Sequence, residues 1–216
     1  MRRITSIVAL NLDGAIGCRN ALPWRLRTDM AFFREETRGN IVIMGRKTYD
    51  SLGRKPLPGR FNIILSHHFG LLESAPDLAG ATGIAEALAV AETAPDHFRE
   101  IFIVGGQTMY EQFAPLVDRY LITVVNKSVA NADTFFDKNL IESKEWQSHL
   151  LRSVEASEGV DEASFTIEEL TRERTGARLE SRQQMIDTVI LKKPARLSRR
   201  PSTYKRTADE RLSLNF

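Results

Sequence analysis

The 216-residue sequence predicts an α/β fold, a mainly parallel sheet with helices on both faces. Three observations predict it. Apolar strand-like runs alternate with helical patterns through residues 1–170, as successive β–α–β units do. NIVIM (40–44) and REIFIV (99–104) are apolar almost throughout, as strands covered on both faces must be. No helical pattern separates the last two runs, RYLITVVN (119–126) and ASFTIEEL (163–170), so an antiparallel C-terminal edge is expected.

In chain order, ITSIVALN (4–11) is the first strand. NLDGAIGCRNALPW (11–24) then connects it to the first helix, TDMAFFREET (28–37). That connection exceeds the median of about 4–6 residues and carries Gly14 and Gly17, so it reads as a lid. NIVIM runs through Gly45 into the helix KTYDSL (47–52). The strand RFNIILS (60–66) and the helix IAEALAVAET (84–93) follow. REIFIV runs through Gly105 and Gly106 into TMYEQFAP (108–115).

Composition narrows the function classes. The chain is 42% hydrophobic and 27% charged, as globular domains are, and no apolar run approaches the roughly 20 residues that span a bilayer. The start, MRRITSIVALNLDG, is basic and then apolar, but a polar turn follows where a small-residue cleavage site would stand, so no secretory signal is expected. Cys18 is the only cysteine, which excludes an intrachain disulfide and a Cys-rich zinc site; a cytoplasmic protein is expected. The four histidines show no ligand spacing, so no metal is expected.

The net charge of +2 is unevenly spread. Residues 171–216 hold 12 basic and 5 acidic side chains, so the tail is strongly basic and the body mildly acidic. The shift suggests a boundary near Thr171, with a body over 1–170 and a basic extension over 171–216. Within the extension RLESRQQMIDTVIL (178–191) has a helical pattern, and the part beyond Pro194 is expected to be disordered. The tail reads first as a solvated extension; a nucleic-acid-binding arm is the sharper alternative.

Chemistry is expected at two places. Gly45 and the Gly105-Gly106 pair each join a strand to a helix, where the backbone admits a close ligand and the helix N-terminus favours an anion. Arg46 and Lys47 are unfavourable at a helix start unless an anion is present. Two such turns suggest a ligand with several phosphates, and neither is a GxGxxG fingerprint. The second place is LPWRLRTDMAFF (22–33). Thr28 is expected to cap the helix, with Asp29 in its first turn. Phe32 and Phe33, three and four residues on, share the face of Asp29, so the acid should stand at the edge of an apolar cleft. There it needs a partner, and burial should raise its pKa, which suits proton handling.

Taken together, IVALNLDGAIGCRNALPW, TDMAFF, VIMGRKTYDSLGR, PLPGRFNIILS, IVGGQTMYEQF, YLIT, ADTFF and SFTIEEL resemble the dihydrofolate reductase family, over residues 4–170 and in the family's order. The resemblance implies a mostly parallel eight-stranded sheet with an antiparallel C-terminal edge. It implies NADPH-dependent reduction of dihydrofolate. Asp29 would hold the pterin and favour its protonation, Thr123 would bond to Asp29 and the pterin amino group, and Trp24 would order a water. Ile7, Val8, Met30, Phe33, Leu52 and Val104 would line the folate cleft, and Arg60 would pair with the glutamate carboxylate. Arg46, Lys47, Thr48, Ser66 and Thr108 would bind the cofactor phosphates. Ala9 and Ile16 would flank the nicotinamide, with Gly17, Gly45, Gly105, Gly106 and Gln107 against the cofactor and a cis peptide at Gly105-Gly106.

Gln107 and His67 depart from the family pattern, which leaves the pyrophosphate loop and the adenosine end open. Apart from dihydrofolate no partner is expected: no membrane, no nucleic acid unless through the basic tail, and a monomer. A riboflavin-pathway reductase on the same scaffold is one alternative reading. A non-catalytic folate- or nucleotide-binding protein is the other.

Overall fold

A computed structural model describes residues 1–67 and 76–192. In chain order the elements are β1 (Arg3–Asn11), β2 (Ala15–Gly17), α1 (Arg27–Thr37), β3 (Ile41–Gly45), α2 (Arg46–Ser51), β4 (Phe61–Leu65), β5 (Leu78–Ala81), α3 (Ile84–Thr93), β6 (Glu100–Ile103), α4 (Gln107–Phe113), β7 (Arg119–Val125), β8 (Thr134–Phe135), β9 (Gln147–Val154), β10 (Phe165–Thr171) and α5 (Gly176–Lys192).

Eight strands form one sheet in the order β5-β4-β3-β6-β1-β7-β10-β9. The pairs from β5 to β7 are parallel, and β10 is antiparallel to both β7 and β9. The expected antiparallel edge is present, but β10 is not the outermost strand. That place belongs to β9, which sequence reading missed. Its residues QSHLLRSV are exposed on both faces save the last, so no apolar alternation marks it.

Alternate residues of the central strands serve opposite cores. Ile41 and Ile43 of β3, Ile101 and Ile103 of β6, and Ile4 and Val8 of β1 face α3, α4 and α5, meeting Leu88, Phe113 and Ile186. Val42, Met44, Phe102 and Ile7 face the other way, toward Phe32 of α1, Tyr49 of α2 and Trp24. Two covered faces explain the continuous apolar runs.

The connection over residues 14–24 is less loop-like than expected. Within it β2 pairs with β8, and Cys18 bridges to Ala21. Arg19 N–H donates to Asp133 Oδ2 at 2.7 Å, and Arg19 and Asn20 take left-handed backbone angles.

The helical pattern read in the tail is realised as α5, which packs against α3. It is not uniformly solvated, because Arg182 and Ile186 are buried. The disorder expected beyond Pro194 falls outside the described residues. Among the described residues no helix is long and apolar enough to cross a membrane.

Candidate active site

A cleft of about 1200 Å³ opens beyond the carboxyl ends of β1, β3, β6 and β7, where ligands of open α/β sheets bind. Ile7, Val8 and Ala9 of β1 form its floor; Gly45, Val104 and Thr123 close the ends of the other strands. From α1 come Asp29, Met30 and Phe33, and from the C-terminal end of α2 comes Leu52. Ile16, Gly17, Arg46, Lys47, Thr48, Ser66, Gly105, Gly106, Gln107 and Thr108 line the same cleft. Trp24 and Arg60 alone among the anticipated residues do not line it.

Asp29 is buried, at 7% exposure. Thr123 Oγ1 donates to its Oδ1 at 2.6 Å. Among the described residues no lysine, arginine or histidine forms an ion pair with it. Burial pushes the Asp29 carboxyl above its ordinary value; the Thr123 hydroxyl pulls it back, and the charge of Asp161 adds to the rise. Asp133, the other acid lining the cleft, is exposed, and the Arg19 N–H holds its carboxyl below the ordinary value. The cleft therefore contains one desolvated carboxylate, with acceptor capacity left on Oδ2.

The local reason for this placement differs from the expected one. The helix starts at Arg27, its N-cap is Leu26, and Leu26 offers no side-chain cap. Thr28 sits inside the first turn and does not cap it. Its N–H and hydroxyl instead donate to Asp161 Oδ1 and Oδ2, at 3.0 and 2.6 Å. Asp29 does fall in the first turn.

At the end of the cleft expected to take the cofactor, Gly45 and Gly106 are the N-caps of α2 and α4, neither with a side-chain cap. The first residues of both helices line the cleft and no side chain caps their N–H groups, which suits an anion. The Gly105-Gly106 peptide is cis. Gly105 has φ of 104°, and a Cβ there would lie 3.1 Å from Tyr110 Oη, so only glycine fits. Tyr110 Oη is held in turn by donating to Ile7 O at 3.0 Å. Arg46 pairs with Asp50 at 2.7 Å, an (i, i+4) bridge on α2. These uncapped amides, the cationic pair Arg46 and Lys47, and the glycine turns fit a phosphorylated dinucleotide.

Trp24 lies in the α1-side core, and its buried Nε1 has no protein acceptor. An orphaned buried donor of this kind is what an ordered water satisfies. Arg60 is 4% exposed behind Phe33, with its guanidinium carbon 5.8 Å from the ring centroid. Its Nε donates to Thr37 Oγ1 at 2.8 Å and Nη1 to Pro58 O at 2.8 Å. Burial lowers its pKa to about 10, with Arg38 and Arg34 adding to the shift, so it stays cationic at neutral pH.

Sequence reading missed other parts of the wall. Leu57 extends the apolar side; Thr82, Gly83 and Ile84 close the other side where β5 meets α3. Tyr110 could have been found from its position in the helix after the Gly-Gly turn. Nothing local marks the Thr82 segment. Among the described residues no cluster of His, Cys, Asp and Glu could hold a metal.

The fold agrees with comparisons to known proteins. The family model described as dihydrofolate reductase matches residues 3–172. The chain is 36% identical over 145 residues to the dihydrofolate reductase of Haemophilus influenzae, covering 65% of this chain and 81% of the relative. It is 40% identical over 136 residues to that of Neisseria meningitidis, covering 63% and 80%. A solved structure of dihydrofolate reductase from Enterococcus faecalis, complexed with NADP(H) and RAB-propyl, superposes with a TM-score of 0.66 at 26% identity. That match covers 80% of this chain and 97% of the other.

Proposed function

The chain belongs to the dihydrofolate reductase family, and on that premise we propose how its residues share the work of the reaction. The protein reduces 7,8-dihydrofolate to 5,6,7,8-tetrahydrofolate with NADPH, a reaction of one-carbon metabolism. When bound, NADPH supplies the hydride that carbon 6 of the pterin accepts, and a proton goes to nitrogen 5.

Asp29 holds the pterin. A carboxylate presents two acceptors in one plane, which matches the amino group and the adjacent ring nitrogen of the pterin edge. Thr123 occupies one lone pair of Oδ1 and so fixes the carboxylate plane. The raised pKa of Asp29 lets it share a proton nearer neutral pH, which favours protonation of nitrogen 5 through water. Trp24 holds a water near the ring through Nε1.

Ile7, Val8, Met30, Phe33, Leu52 and Val104 pack on the substrate and exclude bulk water. Arg60 pairs with the glutamate carboxylate. Arg46, Lys47, Thr48, Ser66 and Thr108 hold the cofactor phosphates, with Gly45, Gly105, Gly106 and Gln107 giving the backbone close approach. Ala9, Ile16 and Gly17 lie against the nicotinamide. We read residues 1–170 as the catalytic unit, working as a cytoplasmic monomer, and 171–216 as an extension that the chemistry does not need.

One observation carries this reading: a buried carboxylate in the cleft with a hydroxyl partner and no cation. The test is NADPH oxidation with dihydrofolate, wild type against Asp29→Asn. The variant is expected to lose about 10²–10⁴-fold in kcat/KM near neutral pH and to bind NADPH normally. Equal turnover in both would remove Asp29 from the mechanism.

A further inference from the structure

The acid that holds the substrate stands in the first turn of α1, and that turn has no cap of its own. An apolar residue such as Leu26 is among the poorest N-caps. The free N–H groups are taken by a segment more than 130 residues away. Val160 O accepts from Arg27 N–H at 3.1 Å, and Asp161 takes both donors of Thr28. Asp161 is itself fixed. It is 1% exposed, its N–H donates to Ser157 O at 3.0 Å, and its C=O accepts from Ser157 N–H at 2.8 Å. Leu26 and Asp161 also form an antiparallel bridge.

This is more negative charge than a cap needs. A serine or asparagine would satisfy the same N–H groups. Among the described residues Asp161 has no ion-pair partner. Lys127, just beyond the end of β7, is committed to Glu162 at 2.6 Å, and Glu162 also accepts from Arg25 N–H. A second carboxylate is therefore held on Thr28, the residue before Asp29.

We propose that Asp161 is a positioning residue for the reduction, holding the first turn of α1 through Thr28 so that Asp29 meets the pterin edge, with its own carboxylate bonded to the residue before that acid. The inference rests on the reading of Asp29 given above. The groups acting on Asp29 are the Thr123 hydroxyl from β7 and the charge of Asp161 from the segment before β10. Lys127 and Glu162 neutralise each other farther out. Removing the charge of Asp161 therefore favours the ionised form of Asp29, and the alkaline limb of the pH–rate profile should move to lower pH.

The experiment uses the full chain with Asp161→Asn, Asp161→Ala and, as the control for the premise, Asp29→Asn. Steady-state kcat and KM for dihydrofolate are measured from about pH 5 to about pH 9, with the NADPH dissociation constant alongside. Asp161→Asn keeps an acceptor for Thr28 N–H. It should hold KM within about twofold and still shift the alkaline limb downward. Asp161→Ala should lose about tenfold in kcat/KM at unchanged NADPH affinity, and Asn should restore most of that loss. If both Asp161 variants keep the wild-type kcat, KM and pH profile, the inference is overturned and Asp161 only caps a helix. If Asp161→Ala does not fold, the Asn pH profile decides alone. Turnover retained in Asp29→Asn would overturn the premise instead, whatever Asp161 does.

Discussion

Two buried aspartates sit toward opposite ends of β7 and are treated in opposite ways. Asp118, 3% exposed, immediately precedes the strand. It accepts from Ile4 N–H at 3.0 Å and from Arg182 Nη2 at 2.9 Å; Arg174 and Arg178 approach to 3.6 and 3.9 Å. Asp29, 7% exposed, lies against Thr123 within the strand and has one hydroxyl and no arginine. A buried carboxylate needs compensation, and a chain can supply it internally or leave it to a ligand. The saturated acid serves the fold. The acid left with spare acceptors is the one proposed to serve the substrate.

Exchanging charge for amide at each position should separate the two roles. Asp29→Asn should cost the about 10²–10⁴-fold in kcat/KM stated above and leave the ligand-free protein at least as stable as wild type. Asp118→Asn should do the reverse. It removes the negative charge shared by Arg174, Arg178 and Arg182, and Arg182, at 1% exposure, already has Nε and Nη1 without acceptors. The expected loss is about 3–5 kcal/mol in denaturant unfolding, with kcat/KM per folded molecule unchanged. A rate loss at Asp118 that matched the one at Asp29 would erase the contrast.

The contrast also marks what the sequence could reveal. Asp29 was legible because its neighbours are local: Phe32 and Phe33 share its helix face, and Trp24 precedes it by one turn and a short stretch. NIVIM, REIFIV and the two glycine turns were legible because burial on both faces and helix entry are written into consecutive residues. Asp118 and Asp161 were not, because their partners lie 64 and 133 residues away. Local capping rules assigned the cap to Thr28, and only the tertiary structure replaces it with Asp161. The basic run of the tail was read from charge alone. Its arginines 174, 178 and 182 recur every four residues, yet nothing local says that they converge on one acid. The exposed strand β9 had no pattern to find.

The tail offers a smaller test of the same contrast. Ending the chain after Arg172 would remove α5, the burial of Ile186 against the α3 side of the core, and the three arginines around Asp118. Asp118 would then face water, which makes this milder than stranding the arginines. We expect a loss of about 2 kcal/mol, the scale of one buried aliphatic side chain. Reductase activity and NADPH affinity should be unchanged, because α5 contributes nothing to the cleft. Activity that fell with the truncation would mean that the acid serving the fold also supports the site.

The smallest effect is a slope in stability with pH. Asp29 has a folded-state pKa above its unfolded value, chiefly through burial. Below the ordinary carboxylate value both states are protonated and the site costs nothing. As pH rises through that value, the unfolded chain releases its proton while the folded chain keeps it, so stability falls. The fall continues until the pH passes the raised folded value, and beyond it the penalty is constant. Ligand-free wild type should therefore be less stable at neutral pH than its other groups dictate, and Asp29→Asn should flatten that part of the curve. Saturating dihydrofolate should stabilise wild type more than the variant, because only the carboxylate gains fully from the donors of the pterin. Thermal unfolding of both proteins, with and without the substrate, across the acid-to-neutral range reads this directly. Parallel curves for the two proteins would mean that Thr123 already compensates Asp29 in full, and the two acids would then differ in partners but not in energy.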